Sequence, residues 1–356
     1  MSGAALTWLL PGDAAGGPLA GIKVLDFTEQ LPGPFLSQNM AEMGADVIKV
    51  ERPQGDPTRR SSPPLFEAVN HGKRFLTADL KSETGRAAVY GLLRNADVLL
   101  EAYRPGVMER LGMGYEQLRG TCPTLVYLSL TGYGADGPHA SWPGHDINYL
   151  AAAGIVDMST ESAGSVRATA VPMADLAGSV YALACVNAAL FQRERSGKGQ
   201  RLDIAMADCV THWAGVRLAS LRNGTGPNRP LAAYGVFVCA DGRRLSIAAL
   251  EDHFWDSIVH ALNLEAFADE RWRHRPAREA ACDAINSAIA SVLKGIGGAE
   301  ALRRLTEADV PVFEVVPVAG LAGSTQAVAR QLFFDGPLGP VCRFPVRLAG
   351  MPGAAY

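Results

Sequence analysis

Short apolar runs alternate with stretches of helical spacing through the first half of the chain. Residues 22–27, 46–50, 97–101 and 125–130 are leucine-, valine- and isoleucine-rich runs of strand length, the mark of strands buried on both faces. Between them, 35–43 carries helical spacing and stops at Gly44, and 83–94 repeats the design with Glu83 and Thr84 near its start. Strand, helix, strand in succession predicts right-handed crossovers and a doubly wound, Rossmann-like parallel sheet. The turn after the first strand, Thr28-Glu29-Gln30-Leu31-Pro32-Gly33-Pro34, has no G-x-G-x-x-G, which argues against a dinucleotide cofactor. A long helical segment at 174–194 is broken by Ser196-Gly197-Lys198-Gly199 before the strand-like 201–205.

Past Asn223-Gly224-Thr225-Gly226-Pro227 the texture changes. The runs 236–239 and 245–250 flank Asp241-Gly242, a hairpin turn signal, and helical spacing follows at 252–262, 278–293 and 300–308 before a strand-like 312–318. The fold class expected is therefore α/β: a Rossmann-like large domain over 18–205, to which 320–356 returns, a linker at 206–230, and a smaller α+β domain over 231–319.

Composition narrows the function classes. With 356 residues, 48% of them hydrophobic and 19% charged, the chain can bury a large core. A formal net charge of −3 and the lack of any basic tail argue against a nucleic-acid partner. The six cysteines, Cys122, Cys185, Cys209, Cys239, Cys282 and Cys342, form no C-x-x-C pair, so neither a zinc site nor a disulfide framework is expected, and a reducing cytoplasm fits. The first seventeen residues carry no basic n-region and the apolar stretch 182–191 is too short for a bilayer, so no membrane or export role is expected.

Gly144-His145-Asp146-Ile147-Asn148-Tyr149 follows a Gly/Pro-rich loop, Thr131 to Pro138, which itself follows the strand-like 125–130. His145 is thus expected near a strand's carboxyl end, where open α/β sheets bind ligands, although a lone histidine beside an aspartate is often structural. Asp175, in Pro172-Met173-Ala174-Asp175-Leu176-Ala177-Gly178-Ser179, stands at a helix start ahead of small residues. It suits N-capping as well as a base or nucleophile approached closely by a ligand. Glu251, after the strand-like 245–250, can either orient His145 or stabilise a helix start. Arg52, Arg59 with Arg60, Lys73 with Arg74, Arg104 and Arg110 recur at loop positions. Those following strands, Arg52 and Arg104, could converge on a phosphate-rich ligand or simply form solvated ion pairs.

Several stretches together resemble a known family, the family III CoA-transferases (CaiB/BaiF), and within it the α-methylacyl-CoA racemases. They include Met43-Gly44-Ala45-Asp46-Val47-Ile48-Lys49-Val50-Glu51-Arg52-Pro53, Tyr103-Arg104-Pro105-Gly106-Val107, Glu109-Arg110-Leu111-Gly112 and Ser196-Gly197-Lys198-Gly199-Gln200. Gly144-His145-Asp146-Ile147-Asn148-Tyr149 resembles the racemase hallmark; typical transferases of the family lack that histidine and use the later aspartate as a covalent nucleophile. The resemblance implies that His145 and Asp175 are two bases, supported by Glu251 and Asp146. It also implies that Arg52, Arg104 and Arg110, with Lys73 and Arg74, contact the CoA portion of an acyl-CoA substrate. CoA would then be part of the substrate, with no separate cofactor and no metal, and the fold would form an interlaced homodimer in which Glu251 acts across subunits.

The expected reaction is racemisation of a 2-methylacyl-CoA: an acid/base group on each face of the α-carbon moves a proton through an enolate, whose oxygen the amides at the Asp175 helix start would hold. The alternatives are a CoA transferase in which Asp175 forms an anhydride and then a CoA thioester, with His145 dispensable, and a catalytically silent acyl-CoA-binding protein.

Overall fold

The computed structural model describes residues 7–9, 16–158, 170–219 and 230–347. By its internal contacts the chain divides into two compact units, Met1–Asn223 with Arg330–Tyr356, and Gly224–Ala329.

The first unit is built on six parallel strands: β1 (Lys23–Asp26), β2 (Asp46–Glu51), β3 (Arg74–Thr77), β4 (Val98–Glu101), β5 (Val126–Thr131) and β6 (Arg201–Ala205), in the order β3-β2-β1-β4-β5-β6. Along the four inner strands, β2, β1, β4 and β5, alternate residues enter two separate cores. Val24, Val47, Val98, Leu100, Val126 and Leu128 pack with the helix Pro32–Glu42 and the long helix Met173–Ser196. Leu25, Ile48, Leu99 and Tyr127 pack on the other face against the helix Glu83–Leu93. Burial on both faces is what the unbroken apolar runs require. The strand order reverses between β1 and β4, so the loops after these strands diverge and leave a crevice at their carboxyl ends.

Three local expectations change. β3 was not expected from Arg-Phe-Leu-Thr, whose burial alternates at the sheet edge instead of forming an apolar run. Residues 206–215, expected within a linker, form the helix Met206–Gly215, and Met206, Ala207, Cys209 and Val210 are buried in the core of the first unit. The long helix Met173–Ser196 has 24 residues, so the apolar stretch 182–191 is only part of a helix that is long and apolar enough to cross a membrane by length and composition. In the folded unit Ala174, Ala177, Ala182, Leu183, Val186, Ala189 and Leu190 of this helix are buried in the core.

The second unit carries the antiparallel sheet β7 (Tyr234–Val238), β8 (Arg244–Ala248) and β9 (Val312–Glu314). Gly242, at φ +82°, closes the β7–β8 hairpin in a conformation that favours glycine. Leu245 and Ile247 share a core with Trp255 and Ile258 of the helix Asp252–Ala261 and with Ile285, Ile289 and Leu293 of the helix Cys282–Lys294. A last hairpin, β10 (Phe333–Gly336) and β11 (Gly339–Cys342), belongs to the first unit. The Leu338 and Phe344 amides beside it donate to Glu67 (3.1 Å) and Glu42 (2.9 Å).

Candidate active site

A cleft of about 610 Å³ occupies the crevice between the β1 and β4 loops. The β1 loop contributes Phe27, Glu29, Gln30 and Pro32, the β4 loop Tyr103 and Arg104, and the segment after β5 contributes Tyr133, Trp142 and His145. Asp175 lines the same cleft from the first turn of the long helix. The two residues expected to do chemistry thus share one cavity at the switch point of the sheet.

His145 is the N-cap residue of the helix Asp146–Ala152, and its amide donates to Asn148 Oδ1 at 3.0 Å. One turn on, the Tyr149 hydroxyl donates to the Gly144 carbonyl at 2.6 Å. The Tyr149 ring lies so close to Gly132 and Gly144 that a Cβ on either would approach it to 2.4 and 2.6 Å. These two glycines therefore admit the ring that fixes the loop carrying His145.

Asp175 does not cap its helix. The helix begins at Met173, and Asp146 supplies the capping acceptor from another element: its Oδ1 takes the amides of Ala174 (2.7 Å) and Asp175 (3.2 Å). The Leu176 amide bonds the Pro172 carbonyl at 3.1 Å. The amides expected to hold an enolate oxygen are therefore already bonded, and that expectation is corrected. Among the described residues no hydrogen bond joins Asp146 to His145; Asp146 instead ties the helix that His145 caps to the helix that carries Asp175.

The Asp175 carboxyl group is half-buried, and no described residue donates a hydrogen bond to it. Burial, then repulsion from the Asp146 carboxylate, pushes its pKa up to about 6, against an opposing pull from His145. Tyr149 is pushed up to about 12 by burial and by the nearby Asp175. A carboxylate of raised pKa, open to the cleft and without a hydrogen-bonding partner among the described residues, is suited to act as a base or a nucleophile.

The five expected CoA-binding cations separate into two groups. Lys73 is buried, donating to Asp26 (3.3 Å), Asn70 (2.9 Å) and the Pro34 carbonyl (2.9 Å), and burial lowers its pKa to about 7. Arg74 forms a bidentate pair with Asp46 and donates to the Thr7 carbonyl at 2.6 Å. Both hold the sheet together, and neither reaches the cleft. Arg104 and Arg110 are exposed after β4; Arg104 lines the cleft and has no ion-pair partner among the described residues. Arg52 is half exposed and pairs with Glu29 Oε1 at 3.0 Å. Glu251 belongs to the second unit, where it is the exposed N-cap residue of Asp252–Ala261.

Sequence reasoning missed the group beneath the cleft. Lys49, fully buried, pairs with Asp56 at 3.0 Å and donates to the Thr28 carbonyl at 2.6 Å, while Asp56 accepts from the Gln30 amide at 3.2 Å. Burial would raise Asp26, but Lys73 and Lys49, with the Ser37 and Thr28 hydroxyls, hold its pKa below the usual carboxylate value. This network fixes the β1 loop, which keeps Gln30 at φ +68°. Next to the cleft lies a cavity of about 500 Å³ lined by Glu101, Arg201 and Asp203, sharing Tyr103 and Arg104 with it. Burial raises Glu101 to about 7 there. Among the described residues no cluster of three or more His, Cys, Asp or Glu side chains is placed to hold a metal ion.

The fold has counterparts in known proteins. A crystal structure of a CaiB/BaiF family protein from Brucella suis superposes with a TM-score of 0.84 at 32% identity, covering 94% of this chain and 93% of that one. The chain is 33% identical to the acetyl-CoA:oxalate CoA-transferase of Acetobacter aceti over 94% of its own length and 90% of that protein. It is also 33% identical to the human alpha-methylacyl-CoA racemase, over 70% of its length and 65% of the racemase. The sequence model of the CoA-transferase family III matches residues 19–356, and the chain belongs to that family of enzymes.

Proposed function

We propose that this enzyme transfers CoA between an acyl-CoA and a free carboxylic acid, with Asp175 as the covalent nucleophile. The observation that carries this reading is the Asp175 carboxylate itself: half-buried in the switch-point cleft, accepting no hydrogen bond from the described residues, raised to about 6 and therefore ionised yet basic at neutral pH. The transferase relative, aligned over nearly the whole chain, supports it.

In this reading an Asp175 oxygen attacks the thioester carbonyl, the C–S bond breaks, and CoA leaves as a thiolate, giving a mixed anhydride. The thiolate attacks the aspartyl carbonyl and expels the donor acid, leaving CoA as a thioester on Asp175. The acceptor acid's carboxylate attacks that thioester, and the released thiolate attacks the acceptor's acyl carbon, so that a new acyl-CoA forms and the Asp175 carboxylate returns. Arg104, Arg110 and Arg52 hold the CoA phosphates, Arg52 by exchanging Glu29 for the ligand. CoA is substrate throughout, and no separate cofactor is required.

A second reading, racemisation of a 2-methylacyl-CoA, is favoured by one observation, the presence of His145 in the cleft that holds Asp175. There the two residues exchange the α-proton, and Glu251, supplied by the second unit of a homodimeric partner, orients His145. The readings separate in heavy water with His145→Ala. Acyl exchange between an acyl-CoA and a labelled acid that survives the substitution supports the transferase. Deuterium uptake at the α-carbon without exchange, abolished by His145→Ala, overturns it for the racemase.

A further inference from the structure

A run of aromatic rings extends from beside Asp175 to the rim of the cleft. Tyr149, whose phenol responds to the Asp175 charge, meets Tyr133 edge-on with ring centroids 5.1 Å apart. Tyr133 meets His139 at 5.8 Å, and His139 lies 4.2 Å from Trp142. Of these rings Tyr149 is buried and tied to Gly144, whereas Trp142 lines the cleft with 57% of its surface exposed. A tryptophan held against a histidine yet left half bare in a cavity presents an apolar surface that a ligand can cover. Ala140, Pro143 and Met206 extend the apolar lining beside it.

Charge in the same cleft points away from a doubly charged acid. Asp175 and Glu29 both line it, and burial raises Glu29 despite its pairing with Arg52. Arg52 pairs with Glu29 at 3.0 Å and bonds the Gly55 carbonyl at 3.2 Å, and in the reading above it leaves Glu29 only for a CoA phosphate. Arg104 stands where the cleft meets the neighbouring cavity and is shared between them. Among the described lining residues, a second carboxylate on the acyl group would meet two acids, with Arg104, shared with the neighbouring cavity, as the one arginine or lysine, at a cost in desolvation and repulsion.

The geometry points to a substrate class for the site just proposed: the acyl group is monocarboxylic and ring-bearing, and Trp142 is the residue that selects it by stacking. This inference rests on the transferase reading for its rates, and its binding arm is independent of that reading.

The test uses the full chain and two CoA esters, phenylacetyl-CoA and succinyl-CoA, with propionate as common acceptor. The expected result is a kcat/KM at least about tenfold higher for phenylacetyl-CoA, with the ratio falling about tenfold in Trp142→Ala and largely kept in Trp142→Phe. Calorimetric binding of both esters to Asp175→Asn, which lacks the nucleophile, reads the same preference without turnover. Equal or better use of succinyl-CoA, or a ratio that Trp142→Ala leaves unchanged, overturns the inference. Absence of exchange with both esters overturns the transferase reading instead, and the binding ratio then decides the ring preference alone: a phenylacetyl preference that Trp142→Ala abolishes upholds it, and its absence overturns it.

Discussion

Asp146 and Asp175 are bound through the backbone and opposed through their charges. Asp146 Oδ1 accepts the Asp175 amide at 3.2 Å, and the Asp146 charge helps hold the Asp175 carboxyl group near a pKa of about 6. One carboxylate therefore fixes the position of the other and raises its basicity. Asp146→Asn keeps an acceptor for the helix start and removes the charge, so the acid limb of the pH–rate profile is expected to move to lower pH, leaving about two- to fivefold more of the neutral-pH activity at pH 5 than wild type keeps. Asp146→Ala removes the cap as well and is expected to lower stability by about 1 kcal/mol. pH profiles and denaturant melts of the two variants check the division of roles.

The raised pKa of Asp175 is also a statement about stability. Its folded value of about 6 lies above its ordinary 3.8, so the folded state binds the proton more tightly than the unfolded chain. The contribution is fully present below about pH 4 and is lost as pH rises through 6, where the carboxylate ionises against burial and Asp146. Asp175→Asn is therefore expected to be more stable than wild type by about 2 kcal/mol at pH 8, with the gap closing toward pH 4. Urea melts at the two pH values measure it, and a gap that stays constant with pH contradicts the assignment.

Lys73 is buried against Asp26, whereas Arg104 is exposed and lines the cleft. Lys73→Met leaves the buried Asp26 without its nearest cation and is expected to cost about 3 kcal/mol of stability. Arg104→Ala, on an exposed loop, is expected to raise KM for an acyl-CoA about tenfold with a Tm within a few degrees of wild type. Thermal melts and steady-state kinetics on the pair test whether Lys73 acts as a structural cation and Arg104 as the proposed ligand-binding one.

These contrasts also mark what the sequence made legible. The parallel strands were readable because burial on both faces leaves unbroken apolar runs such as Val-Leu-Leu in β4, and the cleft's place followed from strands that alternate with helices. His145 and Asp175 were readable as candidates from their loop and helix-start settings. Lys73 and Arg74 were not readable as structural, because nothing local to Gly72-Lys73-Arg74 announces that Asp26 and Asp46 will stand opposite. The same holds for Asp146, whose capping partners lie 28 and 29 residues away. Trp142, Tyr133 and Tyr149 were hidden for a related reason: their spacing in the loop is irregular, and the close approach of Gly132 and Gly144 to Tyr149 is a tertiary contact that no local pattern announces.

The central claim is that Asp175 becomes covalently acylated. Mixing the enzyme with an acyl-CoA in the absence of acceptor acid, quenching with hydroxylamine and mapping peptides by mass spectrometry tests it directly. A hydroxamate at Asp175, absent without acyl-CoA and absent in Asp175→Asn, is the predicted result. An unmodified Asp175 peptide from a sample that exchanges the α-hydrogen of a 2-methylacyl-CoA for deuterium would contradict the transferase account and leave Asp175 as one of two bases.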